Sequence, residues 1–533
     1  MNWSSHLVIA PIVVPLLAGA AMLFVDERRR HLRGFIGIVA IVAVLIASLE
    51  LLSEAEDATL HVYRLGDWPA PFAIVLVLDR LSALMVVLSG VLALASLVYA
   101  LARWHRAGVN YHPLFQFLIM GVNGAFLTGD LFNLFVFFEV MLAASYGLVL
   151  HGAGITRIKA GMHYIVVNLT ASFLFLLGVS LVYAVTGTLN MADLAVRVPQ
   201  VAPGDRMLLE AGAALLGIAF IIKAGMWPLS LWLPAAYAAA VPPVAAMFAI
   251  LTKVGVYVIL RISLLLFGDG TGASAGFGAD WLLYGGMATI VFGMLGVLAA
   301  QDTARLAAFA VLISSGTLLA AAGTSRVEVT AGALFYLVSS TLAVSALFLL
   351  IELVERGREY GAHILAVTRE ALMAPDLDEE GIEDEGEVGI PVPATMAMLG
   401  ISFLGCAVLL AGLPPLSGFV AKFALLSGLL EPAGGAGLSG TAWAFAALVI
   451  LSGLALIIAM VREGIHALWD DRRVPRVRII EMAPVAALLL LCVMLTVRAG
   501  PVMNYLEAAA QALHEPGKYV GNVLVPARPG AMP

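Results

Sequence analysis

Fourteen apolar runs, each long enough or nearly long enough to cross a bilayer, constrain this 533-residue chain more than any other feature. Their approximate limits are 6–25, 34–53, 73–101, 113–129, 131–150, 163–186, 209–233, 243–265, 281–300, 304–322, 330–353, 396–429, 442–461 and 480–497. A membrane-spanning helix needs about 20 apolar residues. Barrel strands would instead alternate over about ten residues, and these runs do not alternate. With 62% hydrophobic and only 12% charged residues, the chain cannot cover the surface of soluble domains. It is also too apolar for disorder. The expected fold class is an all-α polytopic membrane protein of about 14 transmembrane helices. The stretch Met1–His6 has no Lys or Arg, unlike the basic start of a secretory signal. The first run therefore reads as a spanning helix.

Charge between the runs predicts orientation. The odd-numbered connections hold 17 of the 29 basic residues, including Arg28, Arg29, Arg30 and Arg33, and Arg462, Arg472, Arg473, Arg476 and Arg478. The other side holds eight, Arg261 counted among them. The positive-inside rule then makes the odd connections cytoplasmic and puts both termini outside. The longest hydrophilic stretch, 355–393, ends in DLDEEGIEDEGEVG at 376–389. It reads as a solvated cytoplasmic loop and supplies much of the net charge of −7. Nothing in that balance points to a nucleic-acid partner. Cys406 and Cys492 lie inside apolar runs, as small buried hydrophobes do. No metal site or cofactor motif is present in the sequence.

With Arg261 and Arg305, near run ends, counted with the connections, four basic residues remain inside the runs: Arg80, Lys223, Lys253 and Lys422. Three of the chain's five lysines are therefore buried in apolar sequence. A charge at the bilayer centre costs at least about 2.5–3.5 kcal/mol. Lysine, unlike arginine, can shed its proton when desolvated. That pattern points to proton movement. Glu139, in LFNLFVFFEVMLAASYGLV, is the matching mid-membrane acid. Asp79 and Arg80 open run three, as either anchor or functional pair. Asp130, in a tight connection, is expected to be solvated, and His163 to be interfacial.

Two runs are interrupted. Run seven contains IIKAGMWPLSLWLP and run twelve LLAGLPPLSGFVAKF. Proline inside a helix frees a carbonyl, which lipid cannot satisfy, so such breaks belong where protein or water surrounds them. Each break has a lysine nearby. Paired interruptions in two halves also signal an inverted repeat with its sites at the breaks.

These motifs carry a resemblance. FFEV around Glu139, KAGMWPLSLWLPAAYAAAVPPVAAMFAILTKVGVY at 223–257 and AGLPPLSGFVAKFALL at 411–426 resemble the antiporter-like subunits shared by respiratory complex I and multisubunit Mrp-type Na+/H+ antiporters. The match covers runs three to thirteen. Tyr237, where many relatives carry His, is similar to the D subunits of Mrp antiporters. So is the acidic insert. The resemblance implies two inverted five-helix repeats at 113–265 and 281–461, flanked by three helices in 1–112 and by a last helix and tail in 462–533. It implies a proton relay in which Glu139 and Lys223 pair, Lys253 relays and Lys422 ends the line. It also implies partner membrane subunits, proton transport with Na+ as the candidate second ion, and a bacterial inner-membrane location. Relatives with Lys or His in run eleven differ from this chain, which offers Ser339, Ser340, Thr341 and Ser345. Hydroxyls can hold a water wire but do not carry charge near neutral pH. Asp79, Tyr237, Ser339, Ser340 and Thr341 are thus secondary candidates.

The first functional reading is a proton-translocating subunit of a cation/proton antiporter, a transporter component and not an enzyme. The alternative is a proton-pumping subunit of a complex I-like NADH dehydrogenase or membrane hydrogenase. An inert scaffold would gain nothing from burying three lysines.

Overall fold

The computed structural model describes residues 3–56, 60–68, 74–108, 110–152, 154–268, 271–371, 394–431, 439–468 and 477–524. In chain order its first helices are α1 (Ala10–Phe24), α2 (Arg30–Glu56), α3 (Arg80–Ala102), α4 (Tyr111–Leu127) and α5 (Leu131–Val149). Then come α6 (Ile155–Thr186), α7 (Met191–Arg197), α8 (Pro203–Ala224), α9 (Trp232–Ala239) and α10 (Pro242–Phe267). The second half holds α11 (Ala279–Ala299), α12 (Thr303–Gly323), α13 (Val327–Ala371), α14 (Ala394–Ala411) and α15 (Ser417–Leu430). It closes with α16 (Gly440–Leu468), α17 (Ile479–Val497), α18 (Ala499–His514) and α19 (Gly517–Leu524).

Thirteen helices among the described residues are long and apolar enough to cross a membrane. The remaining run is α4, at 17 residues. Every expected run is therefore helical, with three local corrections. Run three begins as a strand: β1 (His61–Arg64) pairs antiparallel with β2 (Val75–Leu78), and the helix starts only at Arg80. Asp79 sets that boundary. Its carboxylate accepts the Ser82 N–H at 2.8 Å, and the Ser82 hydroxyl oxygen accepts the Asp79 N–H at 2.9 Å, a reciprocal cap. The loop expected from residue 355 is shorter, because α13 continues to Ala371; the acidic run 376–389 lies outside the described residues. Two further helices, α18 and α19, form where only a tail was expected.

Burial separates centre from rim. All of the most apolar window of Val327–Arg356 and 94% of that of Pro242–Phe267 are buried, against 33% for Ile479–Val497. So α10 and α13 form the centre. Rim helices leave Phe24, Trp281 and Val497 outward, at no cost in a bilayer. At one end Glu352 ties α13 to its neighbours. It accepts from the Tyr99 hydroxyl at 2.9 Å and Trp104 Nε1 at 2.6 Å, while Arg356 bridges it to Glu481 of α17.

Asp130 is buried, not solvated. It caps α5 by accepting the Asn133 N–H at 2.8 Å, and burial pushes its carboxyl up to about 6.

The interruptions appear as two broken helices with the same construction. One separates α8 from α9, the other α14 from α15. Gly225 and Gly412 both take a φ of +76°, which glycine reaches without a Cβ clash. The Gly225 and Met226 N–H groups reach Ile222 O and Ile221 O at 3.2 and 3.1 Å. The Gly412 and Leu413 N–H groups both reach Val408 O, at 3.0 and 3.1 Å. These bonds satisfy carbonyls that the helix ends leave over. The local sequences, AGMWPLS at 224–230 and AGLPPLS at 411–417, differ at two positions.

Candidate functional site

The site is built on the two breaks and on α5, α10, α12 and α13 between them. Lys223 is the penultimate residue of α8 and is buried. Its ammonium lies 4.9 Å from the ring centroid of Phe138 on α5, the residue before Glu139. Glu139 is half-buried. The two expected partners share a neighbourhood but not a contact: Lys223 Nζ and Glu139 Oε1 each lack a hydrogen-bond partner among the described residues. Proton passage between them therefore needs a side-chain swing or a bridging water.

Lys253 stands in the middle of α10 and is buried on all sides. Gly255 lets this part of α10 lie against the end of α8, since a Cβ there would come within 2.7 Å of Ala224 N. Lys253 Nζ donates to Ser314 Oγ on α12 at 2.8 Å. Ser314 Oγ lies 2.9 Å from Ser340 Oγ on α13. The adjacent Ser339 has its hydroxyl 2.8 Å from that of Ser417, the first residue of α15. A small cavity with room for about one water is lined by Ser314, Tyr336, Ser339, Ser340 and Gly418. Five residues beyond Ser417, Lys422 Nζ donates to Ala411 O at 3.0 Å. Ala411 ends α14, so the lysine satisfies a carbonyl released by the break. Hydroxyls thus occupy the stretch of run eleven where a lysine or histidine is absent.

The secondary candidates divide. Ser339 and Ser340 join this line. Thr341 bonds back to Leu337 O of its own helix at 2.5 Å. Tyr237 is buried and donates to Phe248 O at 2.8 Å, away from the serines. Asp79 sits apart and pairs with Arg261. Arg261, assigned by sequence to a connection, lies inside α10 and is buried. Among the described residues no group of three or more His, Cys, Asp or Glu side chains could hold a metal.

Residues 128–450 match the family model described as NADH:quinone oxidoreductase/Mrp antiporter, TM, and that span contains both breaks and all three buried lysines. The chain belongs to this family. It is 57% identical, over 99% of both chains, to a probable K(+)/H(+) antiporter protein of the D type from Rhizobium meliloti strain 1021. It is 33% identical to the D-type protein of a Na(+)/H(+) antiporter from Alkalihalophilus pseudofirmus, covering 98% of this chain and 99% of that one. The fold is similar to a chain of the Mrp complex from Dietzia sp. DQ12-45-1b, with TM-score 0.82, 26% identity and coverage of 98% and 100%. These family members are membrane subunits, as the spanning helices of this chain require.

Sequence reasoning missed Ser314, Ser417 and the burial of Arg261. A signal existed for Ser314, because the pair Ser314–Ser315 interrupts an otherwise apolar run. Ser417 opens α15 just past Pro415, where attention to the prolines hid it.

Proposed function

We propose that the chain is the proton-translocating subunit of a multisubunit monovalent cation/proton antiporter in a bacterial inner membrane. Other membrane subunits are its partners. Protons move between Glu139 and Lys223 at the first break, through Lys253, and along Ser314, Ser340, Ser339 and Ser417 to Lys422 at the second. The observation that carries the reading is the Lys253–Ser314–Ser340 hydrogen-bonded line in the most buried part of the bundle. The names of relatives support cation exchange, with K+ in the relative of 57% identity and Na+ in that of 33%. The repeated AGxxPLS segments support two repeats at 113–265 and 281–461. The excess of Arg in the odd connections supports termini on the outside.

The test is cation-dependent proton flux in vesicles carrying the complete complex. Glu139→Ala and Lys223→Ala should each abolish exchange while the subunits still co-purify. Parent-level flux in either variant would end the reading.

A further inference from the structure

Toward its Phe267 end, α10 carries further polar side chains in register with Lys253. Lys253, Tyr257 and Arg261 fall at i, i+4 and i+8 on α10, one helix face about 12 Å long at 1.5 Å per residue. The Tyr257 hydroxyl donates to Phe126 O at 2.6 Å and accepts from Arg261 Nη2 at 3.1 Å. Arg261 is buried and grips Asp79 through both terminal nitrogens. Its guanidinium also lies 5.4 Å from the ring centroids of Tyr257 and of Tyr519 on α19. Beyond the pair is a cavity of about 150 Å³ lined by Asp79, Arg80, Arg261, Glu515, Lys518 and Tyr519. A polar cavity of that size has room for several waters.

Such a stripe is a hazard for an antiporter, because water entering between its turns would link the central lysine to the cavity. The order of charges along it matters. Tyr257 meets the guanidinium first, and Arg261 and Asp79 both line the cavity. A guanidinium keeps its charge at any working pH and has no lone pair to accept a proton. A fixed cation in a narrow, poorly hydrated passage repels an approaching proton. The carboxylate makes burial of that cation tolerable.

We propose that the Arg261–Asp79 pair is a proton barrier that insulates Lys253 from the cavity under α18 and α19, with Arg261 as the barrier and Asp79 as its positioning residue. The proposal rests on the relay reading above, with Lys253 as a proton carrier.

The experiment uses the intact complex in proteoliposomes, without exchangeable cation, and follows the decay of an imposed pH gradient. Arg261→Gln should speed the decay at least fivefold. Asp79→Asn leaves the cation in place but no longer held, and should speed the decay by less than Arg261→Gln does. Adding Tyr257→Phe to Arg261→Gln removes a hydroxyl from the stripe and should slow the leak again. If the pair merely pins the fold, both single variants lower the yield of complex and the assembled remainder stays tight; that result overturns the proposal. Should Arg261→Gln fail to assemble, the double variant Asp79→Asn/Arg261→Gln carries no stranded carboxylate and gives the same readout. Failure of both to assemble assigns the pair to structure and also overturns the barrier. Exchange by Lys223→Ala, measured alongside, separates the two ideas: normal exchange there removes the relay, whereas the gradient decay judges the barrier.

Discussion

The two helix breaks share a cap and a nearly identical sequence, yet their lysines stand on opposite sides. Lys223 comes before Gly225, at the end of α8, while Lys422 comes after Gly412, within α15. The consequence is a different use of the same break. Lys422 turns back onto Ala411 O and so repairs the helix that the break interrupts. Lys223 donates to nothing among the described residues and instead faces the Phe138 ring beside Glu139. The serines differ in the same sense. Ser417 reaches Ser339 across to α13, whereas Ser230, at the matching place in the first break, is buried with its hydroxyl unpartnered among the described residues. The second break is wired into the centre of the bundle, and the first leaves its lysine free to answer an acid.

The largest expected difference follows from the lysines. Lys422→Ala should abolish exchange and also destabilise the folded chain by about 1–3 kcal/mol, the usual cost of a stranded buried acceptor. Lys223→Ala should abolish exchange without that loss, since no hydrogen bond of its ammonium is removed. Thermal unfolding of the two purified complexes checks the contrast, and equal melting shifts would break it. The serines give a smaller effect. Ser417→Ala should lower proton flux about tenfold, equivalent to about 1.4 kcal/mol on the barrier, because it cuts the line between Ser339 and Lys422. Ser230→Ala should leave flux unchanged, as its hydroxyl has no partner to lose among the described residues.

Much of this was legible in the sequence. The apolar runs gave the spanning helices because a bilayer imposes a length on each. The prolines and glycines gave both breaks, since lipid tolerates no orphaned carbonyl. The buried lysines stood out against loops that use arginine. What the sequence did not show was contact between distant runs. Ser314 and Ser340 lie 26 residues apart and Lys253 lies 61 from Ser314, and only the packing of α10, α12 and α13 brings them together. Arg261 misled for a related reason: a charge near the end of an apolar run looks like a connection residue until Asp79, which caps a different helix, is seen beside it.

The smallest expected effect lies at the start of α5. Burial raises the Asp130 carboxyl to about 6, so folding disfavours its ionised form relative to the unfolded chain. Any stability it contributes is present below about pH 4 and lost as pH rises through about 6. Asn caps a helix as well as Asp. Asp130→Asn should therefore raise the melting temperature at pH 8 and leave it nearly unchanged at pH 3, in paired thermal scans of the purified complex. A gain of equal size at both values would contradict the burial argument.

The central claim is that the buried lysines carry protons and do not simply supply fixed charge. Lys253→Arg tests it most directly, because arginine keeps the charge and the reach but cannot be deprotonated. Cation-dependent proton flux through the complete complex, measured in vesicles with assembly confirmed by co-purification, is the readout. The account predicts that Lys253→Arg assembles and that exchange is lost. Parent-level exchange in this variant would show that a static positive charge suffices at the centre of α10, and would contradict the relay.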